Sequence, residues 1–195
     1  ETRAHRRLLL QPYARPLTMF SSRRELLSCL VDIIDAHLHV VKRGVLHRDI
    51  SLNNVMIYLE CTAAGATMRG LLVDFDYATL MNRPGRTISP GDRTVSHGTI
   101  PFIAIGILMQ FTNNAVAQIH TVAHDLESIV YVIIYILVLY NGPHDQLRTD
   151  KEFRDTPLLV WVNGDWNSRA SSKRSQMAAP SMLLQAISPY FNPFQ

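Results

Sequence analysis

A chain of 195 residues, 47% apolar and 18% charged, is long enough for one compact domain with a real core and too apolar for extended disorder. Its formal charge of +3 comes from 16 arginines and three lysines against 16 acidic residues, but the arginines are scattered apart from Arg3, Arg6, Arg7 and the Arg23-Arg24 pair, and no aromatic-interleaved basic stripe marks nucleic acid as a partner. Cys29 and Cys61 give no disulfide framework and point to a reducing intracellular compartment, Leu8-Leu9-Leu10 is too short for a signal-peptide core, and the apolar run Ile129 to Leu139 falls short of the roughly 20 residues that span a bilayer, which argues against a membrane partner.

Ser22-Arg23-Arg24-Glu25 reads as a capping box. Leu26, Leu27, Leu30, Val31, Ile34, Leu38 and Val41 then recur at helical spacing, and Lys42-Arg43-Gly44 supplies a cationic last turn and a stop. His37 and His39 fall on different faces of that helix and read as structural. The helix ends just before His47-Arg48-Asp49-Ile50-Ser51-Leu52-Asn53-Asn54, so this loop is presented from a rigid support. Val55 to Leu59 and Leu71 to Val73 are short apolar runs that predict a two-stranded hairpin, with Cys61 to Gly70 and its two glycines as the connection. A hairpin returns the chain to its start, so Asn54 and Asp74 converge although twenty positions separate them.

Beyond Asp74, Thr79 to His97 has little periodicity and carries two prolines, two glycines and three arginines, the composition of a mobile loop. His120 and His124, four apart, share a helical face as zinc ligands can, without a third ligand or a catalytic glutamate between them. About Asp125 to Tyr140 the pattern is apolar on nearly every face, a helix for the middle of the fold, stopped by Asn141-Gly142-Pro143. Asn163 to Arg174 reads as a polar loop and Met177 to Ile187 as a last short helix. No repeat, heptad or low-complexity tract is present.

The chemistry lies in the order Asp49, Asn54, Asp74. Moving a phosphoryl group needs a carboxylate beside the attacking hydroxyl and oxygen ligands that hold magnesium against nucleotide phosphates. Asp49 suits the first task; Asn54 and Asp74 suit the second.

The run resembles the protein-kinase signature H-R-D-x-x-x-x-N followed by D-F-G, with Asp76 in place of the glycine. More narrowly it is similar to the fungal-type protein kinases, on His47 to Asn54, Leu72 to Ala78, Gly98 to Leu108, and His120 with His124 to Ser128. Weaker echoes are Arg15-Pro16-Leu17 and Ser188 to Phe191. The resemblance implies a mainly α fold with a small β hairpin, the C-terminal lobe of a protein-kinase-like domain, and a phosphotransferase that uses ATP and Mg2+ on a protein substrate, more often at serine or threonine. It implies that Asp49 orients the acceptor hydroxyl and takes its proton, that Asn54 and Asp74 hold magnesium, that His47 packs the loop, and that Asp125 braces it from beneath. Thr79 to His97 becomes the activation segment. Gly98 to Ala104 becomes the platform facing the protein substrate, with Thr99 hydrogen-bonded near Asp49. Arg48 would receive an activating phosphate carried by Thr94 or Ser96; alternatively it pairs only with Asp74 or Asp125.

Three positions depart from that pattern. Asp76 stands where glycine lends conformational freedom, Ser51 stands where many serine/threonine kinases carry a lysine, and Gly106 stands where a glutamate anchors the end of the activation segment. The first glycine is Gly44 and the only earlier lysine is Lys42, so neither a glycine-rich loop nor its partner lysine precedes His47. The expectation is therefore a single kinase-like domain over residues 1–195, with a hinge-like segment over 1–20, a helical C-lobe over 21–195, the N-terminal lobe largely absent, and a fragment inactive alone. Two other readings stay open: a pseudokinase scaffold, and a small-molecule phosphotransferase of the aminoglycoside or choline kinase type, against which the Gly98 to Leu108 stretch argues.

Overall fold

The computed structural model describes residues 11–83, 86–87, 98–111 and 119–194. The first element, β1 (Ala14–Pro16), ends on a proline, which an edge strand tolerates because one side of its ladder goes unused. A 3-10 turn, Leu17–Met19, follows, and Leu17, Thr18 and Phe20 are all buried, so the second half of the segment expected to be hinge-like contributes to the core.

Helix α1 (Arg23–Lys42) starts where the capping residues place it: Ser22 Oγ accepts the Glu25 N–H at 3.2 Å. The Glu25 carboxylate, however, takes the N–H and hydroxyl of Ser21 rather than the N–H of Ser22, an offset of one residue from the expected box. Two apolar stripes are compatible with the sequence spacing. Packing buries Leu26, Cys29, Leu30, Ile33 and His37, while Leu27, Val31, Ile34 and Leu38 remain exposed.

The hairpin is longer than predicted. After the short strand β2 (Val45–Leu46), β3 (Val55–Thr62) and β4 (Gly65–Leu72) pair in register from Val55↔Leu72 to Thr62↔Gly65, leaving only Ala63 and Ala64 as the connection. Gly70 is not a turn residue. It lies where β4 presses on α1, and a Cβ added there would sit 2.0 Å from the Cys29 carbonyl oxygen. Its N–H donates to Asp32 Oδ2 at 3.0 Å, and Arg69 pairs with the same carboxylate at 3.1 Å. β1 adds to the outer edge of β3, completing a three-stranded antiparallel sheet.

The stretch expected to be loop from Thr79 begins instead with β5 (Thr79–Arg83), paired with β2 and with β6 (Arg86–Thr87). The pairing partner, not the strand's own pattern, fixes it: Val45 faces Leu80, and the Met81 N–H reaches the Gly44 carbonyl at 2.7 Å.

Beyond a 3-10 turn at Ile100–Phe102 come the short α2 (Ile105–Met109) and the long α3 (Val122–Leu139). α3 begins three residues before the expected Asp125, because Thr121 caps it and the His124 imidazole returns to the Thr121 N–H at 3.1 Å. By length and composition it reaches what a membrane crossing needs, so the length shortfall inferred from Ile129 onward does not hold. Here it packs against the Ile100–Phe102 turn and α2, burying Asp125, Tyr131, Ile136 and Val138.

The region read as a polar loop is the helix α5 (Trp166–Ala178), which follows the single turn α4 (Leu159–Val162). Asp165 caps it by accepting the Ser168 N–H at 2.7 Å. Only Ala170 and Lys173 of α5 are buried, which is why no apolar period announces it. The predicted last helix is split at Pro180: α5 runs through Ala178 and α6 (Ser181–Ala186) starts beyond the proline. Arg148 closes this end of the molecule, donating to the carbonyls of Val138 (2.9 Å) and Ala186 (2.7 Å) while both oxygens of Asp150 receive its remaining fork. Among the described residues the architecture is mainly helical with two small antiparallel sheets.

Candidate active site

The loop from β2 to β3 is held from below by one carboxylate. Asp125, in the first turn of α3 and 1% exposed, accepts the main-chain N–H groups of His47 (2.9 Å) and Arg48 (3.0 Å), and its two oxygens also meet His37 Nε2 (3.1 Å) and His120 Nε2 (2.8 Å). Burial alone would raise the Asp125 carboxyl; the hydrogen bonds and charges of His120 and His37 outweigh it and hold the group well below the usual carboxylate range. Arg48 itself adopts a left-handed φ of +72°, so the chain turns sharply on leaving these two N–H groups.

His47 packs the loop sideways. Its Nε2 donates to the Val73 carbonyl (2.9 Å), its Nδ1 accepts the Asp49 N–H (3.3 Å), and its ring lies 4.6 Å from that of Phe75. Those partners select the neutral tautomer with the proton on Nε2, and burial pushes its pKa down in the same sense.

Asp49 is oriented by residues from two directions. Thr99 donates to its Oδ1 from both the main-chain N–H (2.9 Å) and the hydroxyl (3.2 Å). Asn54 closes the loop by donating from Nδ2 to the Asp49 carbonyl (2.8 Å), and its own N–H reaches the Ser51 carbonyl (3.0 Å). Thr99 is delivered by Gly98, whose φ of +146° and tight approach to Ile103 Cγ1, 2.9 Å from a hypothetical Cβ, leave no room for a side chain. Arg48, Asp49, Thr99, His120 and Ser128 line a void of about 10 Å³ behind the carboxylate, roughly the space of one water.

The hairpin brings the second half of the motif alongside. Val73 N–H donates to the Asn54 carbonyl at 3.0 Å, so Asp74 follows directly on the residue paired with Asn54. Asp74 is exposed at φ +65°, and the Asp76 N–H approaches its Oδ1 at 3.4 Å. The left-handed backbone thus falls on the first aspartate of Asp74-Phe75-Asp76 and not on Asp76, which is where the departure from glycine was expected to matter.

The oxygen donors at hand suit a hard cation such as Mg2+. With Nδ2 of Asn54 committed to Asp49, its Oδ1 is the atom left for a cation, and the Asp74 carboxylate, exposed, is the other oxygen donor the hairpin brings to this end. Among the described residues no group of three His, Cys, Asp or Glu side chains could hold a metal. A two-donor site of this kind fits magnesium completed by phosphate oxygens and water.

The zinc reading of His120 and His124 fails on geometry. His120 precedes α3 and turns to Asp125, while His124 is spent on capping the helix. Thr94 and Ser96 lie outside the described residues. Arg48 meets Asp125 through its main chain. The sequence reading missed the cluster behind the Thr99 segment altogether. Lys173, fully buried, donates to the carbonyls of Pro101 (2.8 Å) and Ile103 (2.7 Å), and Glu127 accepts the Ile105 N–H (2.8 Å) and the Tyr131 hydroxyl. The one signal for it was Asp165 three residues before Ser168, a helix cap inside a stretch read as loop.

Carboxylate, amide and second carboxylate, in this order on a braced loop and a hairpin, are the residue types that kinase-type phosphoryl transfer requires. The model of the fungal protein kinase family matches residues 1–137, and the chain belongs to that family. No curated protein matches it.

Proposed function

We infer that the chain carries the catalytic lobe of a protein kinase that transfers the gamma phosphate of ATP to a serine or threonine hydroxyl of a protein. The observation that carries this reading is the Asp49 carboxylate, fixed on one oxygen by the N–H and hydroxyl of Thr99 while the other faces the loop closed by Asn54. A carboxylate held in this way can orient an acceptor hydroxyl and receive its proton as the phosphoryl group departs from ADP. Asn54 and Asp74 are the residues to hold magnesium, which when bound neutralises charge on the nucleotide phosphates. Asp125 acts one step back, fixing the loop so that Asp49 does not have to be ordered at the moment of reaction.

Phosphotransfer measured on the longest in-frame form of the chain, with Mg2+-ATP and serine, threonine and tyrosine peptides alongside amino-alcohols, tests the assignment. Peptide phosphorylation at serine or threonine, reduced about a thousandfold or more by Asp49→Ala, is the expected result, since positioning and electrostatics supply most of the rate. Transfer unaffected by Asp49→Ala would contradict the role given to that carboxylate. Transfer to amino-alcohols alone would move the chain to the small-molecule phosphotransferases, and partner binding without any transfer to the scaffolds.

A further inference from the structure

We propose that Lys173 is a positioning residue for the Asp49 carboxylate, acting through the Thr99–Ile105 segment; its catalytic meaning rests on the kinase reading above, its geometry does not. Lys173 lies on α5, 124 positions after Asp49, and is completely buried. Its Nζ donates to the Pro101 and Ile103 carbonyls and sits 3.8 Å from the centre of the Tyr131 ring and 5.0 Å from that of Trp161. Glu127 takes hold of the same segment at the Ile105 N–H. Three main-chain atoms are therefore pinned from behind, and a single 3-10 turn, closed by the Phe102 N–H on the Thr99 carbonyl at 2.8 Å, leads to the two Thr99 donors on Asp49.

Packing alone does not call for a lysine here. An ammonium at full burial carries a desolvation cost that a methionine of similar length avoids. What the ammonium adds is a set of directed donors for two carbonyls that the turn leaves unpaired, together with two aromatic faces that favour a cation. Burial pushes Lys173 down to about 7, with Glu127 pulling in the opposite direction. The titratable groups facing it are Glu127 and Tyr131 of α3; the Ile100–Phe102 turn, α2, α4 and α6 present none. Proton loss from Lys173 weakens its grip on the carbonyls, so the order of the Thr99 turn is tied to its charge.

Amide hydrogen exchange on the 195-residue chain, without nucleotide, tests this directly. In Lys173→Met the Thr99 and Phe102 amides are expected to exchange about tenfold faster or more, the equivalent of one charge-assisted hydrogen bond, while Leu30 and Ile33 of α1 change less than about twofold. Lys173→Arg, which keeps charge and donors, should recover most of the protection. Unchanged Thr99 exchange, or an equal loss throughout α1, overturns the proposal. Should Lys173→Met not fold, the unaltered protein decides: with only three lysines, the Lys173 Cε resonance can be followed together with the Thr99 amide, and both should titrate with a common midpoint near 7. Different midpoints, or a flat Thr99 profile, overturn it equally. These readings need no phosphotransfer, so they stand apart from the Asp49→Ala result.

Discussion

At the scale of single residues, Asp125 is the group on which the site depends most. Four donors converge on it, two from the loop main chain and two from imidazoles. Asp125→Ala leaves all four without this acceptor, those of His37, His47 and Arg48 buried, and a loss of about 3–5 kcal/mol in urea unfolding is expected. The pH dependence follows from the sign of its shift. The folded carboxyl ionises well below its unfolded value near 3.9, so its contribution is complete above about pH 5 and fades as pH falls through 4 toward the folded value. Asp125→Asn should flatten this acid limb. An unaltered limb in Asp125→Asn would assign acid sensitivity to other groups. Asp49 and Asn54 were legible in the sequence because the bond that joins them spans five residues of one loop. Lys173 was not, because its partners stand 70 and 72 positions away and nothing local advertises them.

At the scale of elements, the hairpin decides whether the two halves of the motif meet, and the seat of the hairpin on α1 is Gly70. Any side chain there meets the Cys29 carbonyl, part of a helix backbone that cannot step aside without shifting α1. Gly70→Ala is expected to cost about 1–3 kcal/mol, read as a fall in the thermal midpoint, and to weaken the Val73 to Asn54 contact that aligns Asp74. A midpoint at the level of the parent protein would show that α1 and β4 have slack. The sequence revealed the hairpin's existence through two apolar runs, but not its length. Gly70, whose residue type suggests a turn, marks two backbones in near contact. α5 escaped for the opposite reason: a helix lying on the surface by all but Ala170 and Lys173 carries no apolar rhythm.

At the scale of the whole molecule, α3 joins the site to the opposite end of the fold. Its first two turns supply Asp125 and Glu127 to the site, and its last turn is tied to α6 through Arg148, with Ser188 donating to the Tyr140 carbonyl nearby. The nucleotide is a different matter. The sequence has no glycine before Gly44, so no glycine-rich cover for the phosphates precedes the catalytic loop within these 195 residues. On the kinase reading proposed above, the chain alone is expected to bind Mg2+-ATP weakly, with a dissociation constant of about 1 mM, because the phosphates would be held from the Asn54 and Asp74 side without a glycine-rich cover. Calorimetry giving micromolar affinity that Asp74→Ala abolishes would overturn this.

Arg48 and Asp74 sit at left-handed backbone angles, +72° and +65°, one at each entrance to the same site. Such a posture disfavours a side-chain-bearing residue by about 1 kcal/mol, and glycine would escape the penalty at both places. His144 and Asp145 carry the same cost beyond α3, at +58° and +62°, so the chain meets this penalty in two places, and in one of them it shapes both the loop that bears Asp49 and the exit of the hairpin that bears Asp74.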